Sequence, residues 1–366
     1  MSAIQIKEAA QISVPKENDP TSQNVADSDL ERPITTKTSP QSSSGEETVA
    51  DLETYIQDAY CYRSSKVRRP IFNQSPGHYI PRLKKNRINR VILYAGIFNP
   101  PHRAHQALLN CAFSCSQDIN VIAAIVYPSS RVSPRKKYAD EIVFSKLDRA
   151  RLWLGDNGPH DWLWVYDRDG EHWDFFKNSL EELTAKDGFT LEFVFLSGPD
   201  NVGPNQLPNI EWDCKELIVC DIGRESDMVG IDGTLARCNS YGPWSQLDHL
   251  EEIHTQEDVE MPAWLLTSLS LTMAGEYPYA GPTEELRRVY NLRMDGIRVC
   301  VSTWNEEYSV RFIPAEGNTI HASSANIQYI LKTSRLDELY GKISQLVLNP
   351  AILAQLVRDL RKSTAG

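Results

Sequence analysis

The stretch "GIFNPPHRAH", residues 96–105, places His102 and His105 three positions apart behind a glycine and two prolines. Two imidazoles at that spacing, on a loop that turns into a helix, can both reach the oxygens of one phosphate. Gly96 removes a side chain where a base or a phosphate would approach the backbone. Pro100 and Pro101 stiffen the loop. His105 falls at the start of the next helix, where its side chain and the free N–H groups of the first turn face an incoming anion. His102 lies one turn earlier. The chemistry these residue types suit is the binding and polarisation of phosphate oxygens. Neither a Walker P-loop nor a G-x-G-x-x-G loop follows this strand, so the phosphate chemistry belongs to neither of those classes.

The elements that must position the loop are legible around it. "RVILYAG" is a continuous apolar run, as a strand covered on both faces requires. "HQALLNCAFSC" has helical spacing, and "INVIAAIVYP" is a second buried strand stopped by proline. "DEIVFSKLDRARLWLGDN" predicts a helix ending near Gly155, and "WDFFKNSLEELTAKDG" another. "TLEFVFLSG" and "KELIVCDIG" are further buried strands. Strands alternating with helices predict an α/β fold: a doubly wound, mostly parallel, Rossmann-like sheet with helices on both faces. In such a sheet ligands bind at the carboxyl ends of the strands, which is where residues 96–105 lie.

The chain divides into a tail (1–48), an N-terminal extension (49–89) with a short helix at 49–60, and a main domain (90–366) carrying an insertion (226–297). The tail is polar and aperiodic, a composition that predicts disorder. The insertion holds two helices, "PAWLLTSLSLTMAG" and "PTEELRRVYNLRM". "IRVCVSTW" and "YSVRFIPA" then predict a strand pair, and helices close the chain.

Composition sets outer limits. The 366 residues carry a formal net charge of −11, which argues against coating nucleic acid through overall charge. The charge is uneven: no acidic residue falls between Asp58 and Asp118, while ten Lys and Arg do. That stretch reads either as a solvated patch or as a positive rim around a phosphate site. "KVRR" and "RLKKNR" also resemble a nuclear address, so the expected location is cytoplasmic or nuclear. Seven cysteines form no C-x-x-C pair, which argues against a zinc knuckle and suits a reducing compartment. Cys111 and Cys115 share a helical face and are expected in the core. No signal sequence and no membrane-length apolar run is present.

"GIFNPPHRAH" resembles the G-x-F-x-P-x-[HT]-x-x-H motif of the nucleotidyltransferase superfamily, and within it the nicotinamide mononucleotide adenylyltransferases. Later segments follow that family's order. "FSKLDRARLWL" resembles its helix after the second strand, with Arg149 at the arginine. "SGPDNV" resembles its G-x-D segment, giving Gly198 and Asp200. "IEWDCKELIVCDIGRE" resembles its Trp-led helix, strand and arginine stretch, giving Trp212 and Arg224. "HASSANIQYIL" resembles its I-S-S-T-x-x-R motif.

The resemblance implies transfer of AMP from ATP to a mononucleotide phosphate, as in NAD biosynthesis, with Mg²⁺ accompanying ATP and pyrophosphate leaving. It implies direct attack on the α-phosphorus, so catalysis is positioning and charge stabilisation. His102 and His105 would donate to the α- and β-phosphates. Gly96, Ile97, Phe98 and Asn99 would form the nucleotide-facing loop. Asp200 would contact ribose or base, and Trp212 would stack on the second nucleotide or pack in the core. Ser323 and Ser324 would hold the distal phosphates. The motif arginine is replaced by Gln328, which brings no charge, and Lys136, Lys137, Arg149 and Arg151 are candidates to compensate. The alternatives are another phosphorylated acceptor, a CTP donor, or a nucleotide-binding regulator that has lost catalysis. A class I aminoacyl-tRNA synthetase shares the His-x-x-His idea, but the chain lacks room for an anticodon domain. The expected partners are therefore small phosphorylated molecules, with no nucleic acid or membrane and a homo-oligomer admitted.

Overall fold

The computed structural model describes residues 48–61, 70–129, 141–155, 160–222, 226–247, 262–273, 283–314 and 322–365. At its centre is β3 (Ile88–Gly96), with Val91 to Leu93 fully buried. β4 (Val121–Pro128) pairs parallel to it on one side and β6 (Thr190–Ser197) on the other. β5 (Leu163–Val165) lies outside β4, and β7 (Glu216–Cys220) outside β6, both parallel. β10 (Ser309–Ile313) adds to β7 in parallel. β9 (Arg298–Val301) then runs antiparallel to β10, and β8 (Ser245–Gln246) antiparallel to β9. The order is β5-β4-β3-β6-β7-β10-β9-β8. This is the mostly parallel α/β sheet that the alternation predicts.

Period-2 burial along the strands feeds two cores. Val91, Leu93, Tyr127 and Phe193 face α1 (Leu52–Cys61) and α4 (Trp173–Lys186). Ile92, Tyr94, Ala124 and Val126 face α2 (Arg103–Ser114) and Trp153 of α3 (Lys146–Leu154). A third cluster joins Leu152 of α3 to α7 (Ser324–Thr333), α8 (Leu336–Ile343) and α9 (Pro350–Ala365). The bidentate pair of Arg311 with Asp118, at 2.8 and 3.0 Å, ties β10 to the end of α2. In the extension, β1 (Val49–Asp51) pairs antiparallel with β2 (Arg82–Lys84). The buried Glu53 carboxylate there accepts from the backbone N–H groups of Ile71 and Phe72.

Several expectations shift. β5 was not foreseen: three residues inside "WLWVY" are too few to show a period. The helix expected from Asp140 begins at Lys146, because Ser145 and Asp148 form a capping box. Ile142 to Phe144 instead make an arm without regular structure. The Trp-led helix is a short 3-10 turn, Pro208–Trp212. Within the insertion, β8 extends the main sheet, while α5 (Ala263–Met273) packs on α2, its Ser268 hydroxyl donating to Asn110 O at 3.2 Å. The other insertion helix is α6 (Thr283–Gly296). The acidic stretch 248–260 and nearly all of the tail lie outside the described residues.

The basic stretch is divided: Arg103 opens α2 beside the histidines, and the rest of its described members lie elsewhere. Residues 62–69 lie outside the described residues, and Arg82 to Arg90 sit at the amino end of β3, opposite the histidine loop. Arg90 pairs there with Glu216 at 2.6 Å. Cys111 and Cys115 are buried as expected, and all seven cysteines are free thiols. Among the described residues no helix is long and apolar enough to cross a membrane.

Candidate functional site

The chain runs from β3 outward to β4 and β5, then crosses back to β6 and β7 on the far side. The reversal opens a crevice beyond the carboxyl ends of β3 and β6, where doubly wound sheets bind ligands. Loop 97–102 and the turn at Gly198 border it.

The loop is built around Phe98. Its φ of +48° lies in the left-handed region, and its ring is wedged between Tyr94, His105 and Trp153 at centroid distances of 4.9, 5.0 and 5.3 Å. A Cβ on Gly96 would come within 2.7 Å of that ring. The space Gly96 leaves is thus filled by Phe98, where the sequence reading placed a ligand. Gly96→Ala is expected to cost about 1–3 kcal/mol through overpacking, because the ring has no free side to retreat to. A thermal melt checks this, and an unchanged Tm would show that the ring yields freely.

Asn99 is also buried. Its amide donates to Ile142 O at 2.9 Å and accepts from the Phe144 N–H at 3.0 Å. Ile97 offers its carbonyl to Arg149. The loop expected to face a nucleotide is therefore held largely through Asn99 and Ile97.

His102 caps α2 and is 5% exposed. Its ring stacks on His105 with centroids 3.6 Å apart and planes 16° from parallel. The His102 N–H donates to His105 Nδ1 at 3.2 Å. A neutral imidazole that accepts at Nδ1 carries its proton on Nε2, so His105 keeps one N–H donor. His102 Nδ1 is buried without a hydrogen-bond partner among the described residues. Two first-turn amides expected to face an anion are occupied: the Arg103 N–H donates to Leu346 O at 2.9 Å, and the His105 N–H to His102 O at 3.0 Å.

Burial lowers the His102 pKa from 6.5 to about 4, and holds His105 well below its ordinary value with a further push from His102. Both rings are neutral at pH 7. In the unfolded chain they take up protons near pH 6.5, so the stability from keeping them neutral is complete above that pH. It is lost as pH falls toward 4. A shift of that size corresponds to roughly 3 kcal/mol for His102 alone. Tm is expected to fall steeply between pH 6.5 and 4.5, and less so in a His102→Gln variant. Parallel pH profiles for the two proteins would remove His102 from this account.

Arg149 is 1% exposed and serves the backbone. Its guanidinium donates to Phe144 O at 3.1 Å, to Ser129 O at 2.8 Å and to Ile97 O. Gln328 is 2% exposed: its amide nitrogen donates to Asn99 O at 3.0 Å and Ile142 O at 2.9 Å, and its oxygen accepts from the Ile142 N–H at 3.0 Å. Ser323 caps α7, its hydroxyl accepting from the Asn326 N–H at 3.3 Å, and Ser324 is the first helical residue. Gly198 precedes the 3-10 turn that carries the exposed Asp200 at the end of β6. Trp212 is half-buried, stacked on Phe195 at 5.8 Å and edge-on to Tyr127 at 5.2 Å. Arg151 is exposed. Lys136, Lys137 and Arg224 lie outside the described residues.

The sequence reading missed Lys146. Its half-buried amine lies 4.6 Å from the Tyr127 ring centroid and 5.4 Å from that of Tyr166, and donates to Arg168 O. Burial lowers its pKa. Its spacing of three from Arg149 on one helix was the available signal.

The structure thus brings His102, His105, Asn99, Arg149 and Gln328 around one loop at the switch point, with Asp200 across the crevice.

No protein-family model matches the chain, and no curated protein does. Among solved structures it is similar to a Plasmodium falciparum nicotinic acid mononucleotide adenylyltransferase complexed with NaAD. That likeness has 11% identity and a TM-score of 0.34, over 74% of this chain and 97% of that one. A second structure of such an enzyme, complexed with APC, gives 12% identity and a TM-score of 0.24 over 55% and 89%. The fold class rests on the sheet order, not on likenesses with such low TM-scores.

Proposed function

We propose that the chain is a nucleotidyltransferase moving AMP from MgATP to the phosphate of a mononucleotide, of the nicotinamide mononucleotide adenylyltransferase type. The observation that carries this reading is the stacked His102–His105 pair at the start of α2, above the crevice between β3 and β6. His105 offers an Nε2–H, and the buried Nδ1 of His102 has no hydrogen-bond partner among the described residues. Neutral donors in a partly dry site stabilise a charged transition state with little reorganisation.

In this reading the acceptor phosphate attacks the α-phosphorus in line, and pyrophosphate departs. His105 donates to a non-bridging oxygen where charge develops. Binding of the polyphosphate raises the affinity of both imidazoles for a proton, since an anion beside them favours the charged form. Ser323 and the start of α7 receive the distal phosphates. Asp200 addresses a ribose from the opposite rim, and Trp212 offers a half-buried face to the acceptor base. Gly96, Ile97, Phe98 and Asn99 shape the loop. Lys136, Lys137 and Arg224 are proposed further phosphate contacts. Mg²⁺ arrives with ATP as part of the substrate.

The test is pyrophosphate release from MgATP or MgCTP across a panel of mononucleotides that includes nicotinamide and nicotinic acid mononucleotide. Release that requires both ATP and one such acceptor supports the reading. ATP binding without release under any acceptor would establish a non-catalytic nucleotide binder instead, and release with MgCTP alone would change the donor.

A further inference from the structure

We infer that Gln328 is a positioning residue, fixing the start of α7 against the histidine loop, and not a ligand of phosphate. The inference rests on the adenylyl-transfer reading for its functional consequence and on hydrogen bonding alone for its geometry. A glutamine side chain has two N–H donors. Here one is engaged by Asn99 O and the other by Ile142 O, and the residue is 2% exposed. No donor remains for an oxygen of ATP. The side-chain oxygen accepts the Ile142 N–H, a role no guanidinium can fill, because arginine carries no acceptor.

The surroundings make the same point. Asn99 also binds the 142–144 arm, donating to Ile142 O and accepting from the Phe144 N–H. Loop, arm and helix thus form one knot, in which Ile142 O receives both amides. Arg149 grips the same backbone at Ile97 and Phe144, so a guanidinium already serves this neighbourhood. Four residues N-terminal to Gln328, still on α7, comes Ser324, with the cap residue Ser323 one place earlier. Gln328 therefore sets how far that helix start stands from His102 and His105. A triphosphate spanning both helix starts needs that separation held.

The experiment uses the full chain and three variants, Gln328→Arg, Gln328→Met and Gln328→Glu. Its readouts are MgATP affinity by calorimetry, KM and kcat for pyrophosphate release, and amide exchange at Ile142 in the nucleotide-free protein. The expected result is that all three variants raise KM for ATP about tenfold or more while the acceptor KM stays within about twofold. Gln328→Met, which keeps the volume, should speed exchange at Ile142. A gain in ATP affinity in Gln328→Arg, with slow Ile142 exchange retained in Gln328→Met, would overturn the inference and return Gln328 to the phosphates. If the parent binds no MgATP, the adenylyl-transfer reading fails. The clamp is then decided by exchange: unchanged protection at Ile142 in Gln328→Met overturns it.

Discussion

His105→Ala is expected to slow the proposed adenylyl transfer by about 10²–10³ while the protein stays folded, the usual effect of removing one donor aimed at developing charge. The alanine removes three things at once: the Nε2–H, the stack on His102, and the acceptor of the His102 N–H. His105→Asn separates them. An asparagine oxygen falls close to the position of Nδ1 and still accepts the His102 N–H, while nothing replaces Nε2–H. Single-turnover rates for both variants should fall together. Full activity in His105→Asn would show that the loop's shape, and not the donor, is what matters.

The largest effect on stability is expected at Arg149. Arg149→Met preserves much of the buried stem but leaves the carbonyls of Ile97 and Ser129 without their charged donor. Hydrogen bonds to charged groups contribute about 1.5–3 kcal/mol each and act as a unit here, so a loss of about 3–5 kcal/mol is expected. Denaturant unfolding measures it. The same variant should lose the proposed transfer activity below its melting temperature, because Ile97 and Ser129 immediately follow β3 and β4 beside the crevice. A loss under about 1 kcal/mol would mean that the strand ends are held by other contacts.

The parallel sheet was legible because the central strands carry long apolar runs and β3, β4 and β5 are each followed by a helical period. Residues 96–105 were legible as a strand-to-helix loop that brings both histidines to one place, because strand, glycine and spaced histidines occur together in one short stretch. What stayed hidden depends on contacts between distant segments. Gly96 looked like room for a ligand, yet Phe98 folds back into that room through a positive φ. Gln328 looked like a phosphate ligand short of its charge. Its partners, Asn99 and Ile142, are far away in the chain and bind through backbone atoms, which leave no trace in residue type. β5 was lost to brevity, and Lys146 to the attention that Arg149 drew. Of the two readings of the basic stretch, charge alone does not choose, because it does not tell which end of a strand a residue occupies.

The bond between Gln328 and the Asn99 carbonyl joins residues 229 apart. A ribosome adding about 5–20 residues per second takes roughly 10–50 s to deliver the second partner after the first. Throughout that interval the histidine motif has its contacts to the 142–144 arm and to Arg149 but lacks the Gln328 bonds. Products released early, before codon 328, lack the Gln328 side chain and leave the Asn99 carbonyl and the Ile142 N–H without that partner. Premature termination between β10 and α7 should therefore leave every strand of the main sheet present and the histidine loop less firmly held than in the full chain.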